Sequence, residues 1–482
     1  MEQDIVHASV ERNWTDEVLP SLAGLVTIPA LSPAFDAQWP EHGQLRAAVD
    51  HVRAWIGTRG LPGATSEVIE LPGRSPLLLV DVPATAGAAG ADPGDGAGED
   101  RGTVLLYGHL DKQPPVGGWA DGLGPWTPVF RDGKLFGRGA ADDGYSAYAA
   151  TTALEAVLVA GGEHARAVLL LETGEESGSP DLPAYMEHLA GRLGDVTFVV
   201  CLDGGGGDYE RMWLMSSLRG LVKLTVTVKV LESAQHSGMA SGIVPSSFRI
   251  LRQLLDRVED AATGEIKLPE FNAPIPADRR AAAQALAAMD PDGPKRLYPL
   301  LDGMRPVSED DVELILNNTW RPTLSVTGAA GLPEPAQAGN VLRAATSLTL
   351  SFRTPPLADT KAAGAAVVQA LTTDVPYGAT VEISDYVAEN GWNAPAFAPW
   401  LTAAMESASD RVFGKEYGSL GIGGSIPFME MLGRRYPQAQ IVVTGALGAD
   451  SNAHVPNEWL DIAFAQQITQ AVAHLLDAHA RS

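Results

Sequence analysis

In the stretch TVLLYGHLD, Thr103 to Asp111, a run of strand-forming residues passes straight into a histidine and an aspartate. A short apolar run of this kind, closed by glycine, predicts a buried strand over Thr103–Tyr107. In open α/β sheets ligands gather beyond the carboxyl ends of strands, so the residues that follow each predicted strand are the informative ones. Ala167–Leu171 is followed by Glu172-Thr173-Gly174-Glu175-Glu176, and Val196–Leu202 by Asp203 and the glycine run Gly204–Gly207. Gln440–Thr444 is followed by Gly445–Asp450 and then by Ser451-Asn452-Ala453-His454. A fifth element, GRGAADDG at Gly137–Gly144, leads into an Ala-rich helix predicted over Tyr145–Ala160. His109, Asp142, Glu175, Glu176, Asp203 and His454 are thereby expected on one rim. Carboxylate and imidazole donors without thiolate suit zinc, manganese or cobalt, and several carboxylates together can hold two ions. Singly, each feature has a plainer explanation: paired glutamates are commonly solvated charge, and Asp142-Asp143 is ordinary capping at a helix start. Their convergence is what argues for a site.

The same alternation sets the organisation of the chain. Leu77–Val82 reads as a strand, Pro83–Gly102 as an exposed Ala/Gly/Pro/Asp loop, and Leu182–Leu193 as helical, which together predict an α/β layer with a largely parallel sheet. The character changes near Leu218-Arg219-Gly220, where Lys223–Val230 (KLTVTVKV) alternates strictly, as a strand with one wet face does. A helix at Ser246–Val258, strands at Thr323–Thr327 and Ala345–Phe352, a helix at Thr360–Leu371 and a strand at Thr380–Tyr386 complete a β-α-β-β-α-β order. A segment containing the Ala-rich Arg279–Met289 interrupts that order. A helix at Ala398–Phe413, the strand at Gln440 and a helix at Leu460–Ala478 return to the first pattern. The expected domains are residues 1–217 and 391–482 as one discontinuous catalytic domain, with 218–390 inserted as a ferredoxin-like domain.

The chain has 482 residues, and 34 Lys+Arg against 59 Asp+Glu leave a formal charge of −25. Such a charge repels phosphate backbones and anionic lipid, so no nucleic-acid or membrane partner is expected. The single cysteine, Cys201, excludes an internal disulfide and a Cys-based zinc site, and its place on a buried strand predicts an inert packing thiol. The start, MEQDIVHASVERNW, has neither a basic opening nor an apolar run, and no long apolar stretch follows, which points to a soluble cytoplasmic enzyme.

Further short motifs extend the pattern. GHLDKQPP (Gly108–Pro115), GRGAADDG (Gly137–Gly144), EESGS (Glu175–Ser179), LRG (Leu218–Gly220), HSGM (His236–Met239), GGSIP (Gly423–Pro427) and AHVPNE (Ala453–Glu458) occur in this order. Together they resemble the aminoacylase/carnosinase (acetylornithine deacetylase-like) group of dinuclear zinc metallopeptidases, and within it the cytosolic non-specific dipeptidases. The resemblance implies a zinc-peptidase-like three-layer α/β catalytic domain carrying a ferredoxin-like lid that also makes a homodimer. It further implies two divalent metal ions per subunit, zinc foremost, with manganese or cobalt as alternatives. Asp142 would bridge them, with His109 and Asp203 on one ion and Glu176 and His454 on the other. Asp111 would accept the second imidazole N–H of His109, and Glu175 would serve as general base towards the attacking water.

For the substrate, the resemblance implies that His236 reaches the partner subunit's site and stabilises the oxyanion, and that Arg353 clamps a carboxylate. Asn340 and the loop at Gly424 and Ser425 would add polar contacts. The chain departs from the family pattern at Lys112, where a small apolar residue is usual, at Tyr145, and in the bare run Gly204–Gly207. The expected activity is metal-dependent hydrolysis of the amide bond of dipeptides or similar small peptides with a free carboxylate. An aminoacylase, N-acyl-amino-acid deacetylase or carboxypeptidase on the same machinery is the alternative.

Overall fold

The computed structural model describes residues 1–85, 101–296, 298, 300–424, 427–448 and 450–482. Most of the loop expected over Pro83–Gly102, and Ser425, lie outside the described residues. The chain forms two compact units, one of Met1–Met215, Ala394–Leu420 and Met431–Ser482, the other of Ser216–Asn393 and Gly421–Glu430.

The first unit is built on a six-stranded sheet in the order Thr65–Ile69, Leu77–Val82, Arg166–Glu172, Thr103–His109, Val196–Cys201, Gln440–Val443. The first two pairings are antiparallel and the remaining three parallel. Val104–Leu106, Val168–Leu171 and Phe198–Cys201 are buried at every position, the continuous apolar run expected of strands covered on both faces. The strand predicted to stop at Tyr107 continues through Gly108 and His109, which pair with Leu171 and Glu172. Glycine is required there, because a Cβ at position 108 would stand 2.1 Å from Ser146 Oγ. The helix Tyr145–Val159 is buried almost all round, its alanines admitting the C-terminal helix Ile462–Ala480 and the N-terminal helix Gln3–Asn13 alongside. The helical stretch predicted over 182–193 is two short helices, Leu182–His188 and Ala190–Leu193.

The second unit carries an antiparallel sheet in the order Thr323–Ala330, Ala345–Thr354, Gly220–Lys229, Thr380–Glu389. With the helices Ser247–Leu255 and Thr360–Thr372, capped by Ser246 and Asp359, this is a ferredoxin-like β-α-β-β-α-β unit. The alternation read in Lys223–Val230 is its cause: Val222, Leu224, Val226 and Val228 enter a core with Ile250, Leu254, Phe352 and Val367. The opposite face carries hydroxyl pairs, Thr225 with Thr349 at 3.1 Å and Thr227 with Ser347 at 2.8 Å. The interrupting segment holds the helices Ala277–Met289 and Asp311–Thr319, which close on a small core of their own around Ala283, Leu316 and Trp320. Among the described residues, no helix is long and apolar enough to cross a membrane.

Candidate active site

Parallel strands delivered side by side leave their carboxyl ends at one edge of the sheet, and the acidic and imidazole side chains meet there. His109, the last residue of its strand, is wholly buried. Its Nε2 stands 3.3 Å from Asp142 Oδ1 and 3.9 Å from both Glu175 Oε2 and Asp203 Oδ2. The other oxygen of Asp142 lies 2.9 Å from His454 Nε2, which is also 3.1 Å from Glu176 Oε2. The Asp142 carboxylate therefore sits between two imidazoles, one buried and one about half exposed (53%). Donor atoms of His109, Glu175 and Asp203 lie within 4.8 Å of one another, as do those of His109, Asp142 and Glu176.

Local structure explains how the neighbours are aimed. Asp142 belongs to a tight turn, Ala140–Gly144, whose non-helical backbone at Asp142 and Asp143 turns the two carboxylates apart. The buried Asp143 accepts the backbone N–H of His109 at 3.2 Å. Glu175 and Glu176 open a single 3-10 turn, Glu175–Ser177, and the Asp111 carboxylate accepts both their backbone N–H groups, at 3.2 and 3.0 Å. His109 Nδ1 reaches the Asp111 backbone carbonyl at 3.1 Å and its carboxylate at 3.4 Å, so one aspartate orients the histidine and both glutamates. Asp203 follows its strand and pairs in a bridge with Gly445. Tyr145 ties these ends together, its hydroxyl donating to the Leu202 carbonyl and accepting the Ala446 N–H at 2.9 Å. His454 has a left-handed backbone (φ 65°), an unfavourable conformation for histidine that surrounding contacts must hold.

Burial and mutual repulsion dominate the electrostatics. Burial raises the Glu175 and Asp203 carboxyls well above the carboxylate range, with neighbouring carboxylates adding to it, and also raises Glu176. Burial also lifts Asp143, to about 8. Burial opposes charge on His109, but Asp111, Asp142 and Asp203 overcome it and hold the imidazole protonated well above its usual range. His454 likewise resists burial through Asp142 and Glu176 and rises to about 10. Asp142, with an imidazole on each oxygen, is held low against the effect of burial. So many buried carboxylates around two imidazoles form a site short of positive charge. Divalent cations fit this donor set, since they replace protons on carboxylate and imidazole atoms already converging.

Three further residues, Gln113, Arg138 and Glu458, join the site without a strand end to mark them. Gln113 Nε2 donates to Glu176 Oε2 at 2.6 Å, and its place in GHLDKQPP, two residues past Asp111, was the available signal. Arg138 and Glu458 form a fully buried ion pair at 2.7 Å between two of the quoted motifs. Lys112, the apparent intrusion beside the site, turns away from it. Its ammonium donates to the carbonyls of Leu25 (2.7 Å) and Ile28 (2.8 Å) at the end of the helix Leu19–Val26, and burial lowers it to about 7. Cys201 is buried, and burial raises its thiol well above the usual range.

The other expected substrate residues lie in the second unit. His236 is exposed on a short strand whose partner is Val341, and the Ser237 N–H donates to the Asn340 carbonyl at 2.8 Å, so His236 and Asn340 are neighbours. Arg353 is half-buried and shares Leu221 as strand neighbour with Glu389. Burial lowers its guanidinium while Glu389 opposes the shift. Gly424 follows Gly423, whose carbonyl accepts from Arg219 Nε at 3.0 Å.

Comparison with known proteins agrees with this architecture. Residues 105–478 match the model of peptidase family M20/M25/M40. A cysteinylglycine-S-conjugate dipeptidase of Corynebacterium striatum is 25% identical over 384 residues, covering 78% of this chain and 81% of that protein. The human Beta-Ala-His dipeptidase is 26% identical over 432 residues, covering 84% of this chain and 76% of that protein. Among solved structures, the di-peptidase Dug1p of Saccharomyces cerevisiae superposes with a TM-score of 0.75 at 21% identity, covering 100% of this chain and 99% of that one. The chain belongs to the M20/M25/M40 family of peptidases.

Proposed function

We propose that this protein is a dipeptidase that hydrolyses the amide bond of small peptides with a free C-terminal carboxylate, using two divalent cations, zinc foremost. The observation that carries the reading is the Asp142 carboxylate placed between His109 and His454, with Glu175, Glu176 and Asp203 around it. The dipeptidase names of the curated relatives support the substrate class.

In this reading Asp142, together with His109 and Asp203 on one side and Glu176 and His454 on the other, would hold the cations. When bound, the cations would polarise the scissile carbonyl and lower the pKa of a water to about 7. Glu175 takes the proton of the attacking water and passes it to the leaving amine nitrogen as the C–N bond breaks. Asp111 holds the imidazole of His109 and the backbone of both glutamates in register. Gln113 directs the Glu176 carboxylate.

The second unit is the lid and dimerisation domain in this proposal. Arg353 takes the substrate carboxylate, Asn340, Gly424 and Ser425 add polar contacts, and His236 serves the partner subunit's site in a cytoplasmic homodimer. A hydrolysis screen of dipeptides, longer peptides and N-acetyl amino acids, paired with metal analysis, tests the reading. Cleavage of free-carboxylate dipeptides is expected. Activity confined to N-acyl amino acids would replace it with a deacylase.

A further inference from the structure

Arg138 and Glu458 form a buried ion pair beside the candidate metal donors, with 1% and 0% of their side chains exposed. A buried pair recovers its desolvation cost only when its remaining donors and acceptors are used, and hydrophobic replacement is often no less stable. What this pair touches is therefore informative. Glu458 Oε2 takes Arg138 Nη1 at 2.7 Å, while Oε1 accepts the backbone N–H groups of Gly139 (2.9 Å), Ala141 (3.3 Å) and Asp142 (3.3 Å). The second arm of Arg138, Nη2, donates to the carbonyls of Val455 (3.2 Å) and Pro114 (3.5 Å). The backbone joins in, with Gly137 N–H donating to the Glu458 carbonyl at 3.0 Å.

These contacts run to three chain segments, and each carries candidate metal donors or their orienting groups. Asp142 is one of the three N–H donors. Val455 adjoins His454, whose left-handed backbone needs support. Pro114 follows the His109–Gln113 run. The packing leaves little slack: Gly139 has φ 76°, and a Cβ there would meet Lys112 Cε at 2.6 Å.

We propose that Arg138 and Glu458 are positioning residues for the metal centre, a buried clamp that sets the Asp142 turn and the His454 loop at the separation two cations require. The proposal rests on the metal-dependent reading above. Outer partners that orient metal ligands typically change affinity 10–100-fold when removed.

The test uses the full-length protein freed of metal, titrated with Zn2+ in competition with a chromophoric chelator. Glu458→Gln keeps the shape but cannot offer a full charge to both Arg138 and three N–H groups. Its expected result is about 10–100-fold weaker Zn2+ binding, with a cooperative thermal melt of the metal-free protein and, at saturating Zn2+, a lower kcat at unchanged KM. Parent-like Zn2+ affinity, even with a lowered melting temperature, would overturn the proposal and leave the pair purely structural. Should Glu458→Gln fail to fold, Arg138→Lys carries the test: it keeps the buried charge but loses the arm to Val455 and Pro114. Affinity weakened about tenfold or more supports the clamp, and parent-like affinity overturns it. A parent protein that binds no Zn2+ would instead overturn the metal-dependent reading itself.

Discussion

Glu175 and Glu176 are adjacent in the chain yet have different surroundings. Glu176 is held by His454 and Gln113, while Glu175 Oε2 stands 3.9 Å from His109 Nε2 and, among the described residues, has no donor as close. A group left unclasped and raised by burial is suited to accept a proton, so Glu175→Gln should keep its metal and lose about 10²–10⁴-fold in kcat with little change in KM. Metal analysis and steady-state kinetics on one preparation check this, and turnover near the parent's would remove Glu175 from the proton path. The sequence was legible where a donor ends or follows a strand, as for His109, Asp203 and His454. It was silent where a side chain's partners are backbone atoms of remote segments. Arg138 and Glu458, 320 positions apart, pair only after folding, and Lys112 owes its place to the carbonyls ending a helix far upstream.

Among the elements, the C-terminal helix Ile462–Ala480 carries two histidines that the packing holds neutral. Burial lowers His479 to about 4, where its ring stacks on Phe198 at 5.3 Å, and lowers His474 to about 4 beside Gln3. The unfolded chain binds these protons near pH 6.5, and the folded chain only near pH 4. Stability from each is therefore intact above pH 6.5, falls as pH drops from 6.5 to 4, and is then spent, by at most about 3 kcal/mol apiece. Urea midpoints at pH 7.5 and 4.5 should differ less in His479→Phe than in the parent, whereas equal differences would contradict the assignment. Element type was readable from periodicity throughout this helix. Its ends were not: the start moved from Leu460 to Ile462 because Asp461 caps the helix by accepting the Phe464 N–H at 2.9 Å.

For the whole molecule, the discontinuous α/β unit and the inserted ferredoxin-like unit follow from two periodicities, continuous apolar strands in one and strict alternation in the other. The boundary was harder, since Gly421–Glu430 packs with the second unit although it lies in the chain's closing third. In the proposed homodimer His236 serves the opposite subunit, so inactive His236→Ala and inactive Glu175→Gln subunits should regain activity when mixed. One of the two sites in a mixed dimer would then have both groups, giving roughly a quarter of parent activity at random exchange. No recovery despite demonstrated exchange would return His236 to its own subunit.

The proposed site holds a pair of cations with Asp142 shared between them. Diffraction from crystals of the zinc-loaded protein, recorded on both sides of the zinc absorption edge, tests it directly. Two anomalous peaks about 3.5–4 Å apart are expected, one beside His109 and Asp203, the other beside Glu176 and His454, with Asp142 between. A single peak, or peaks away from Asp142, would rule out a shared two-cation site there.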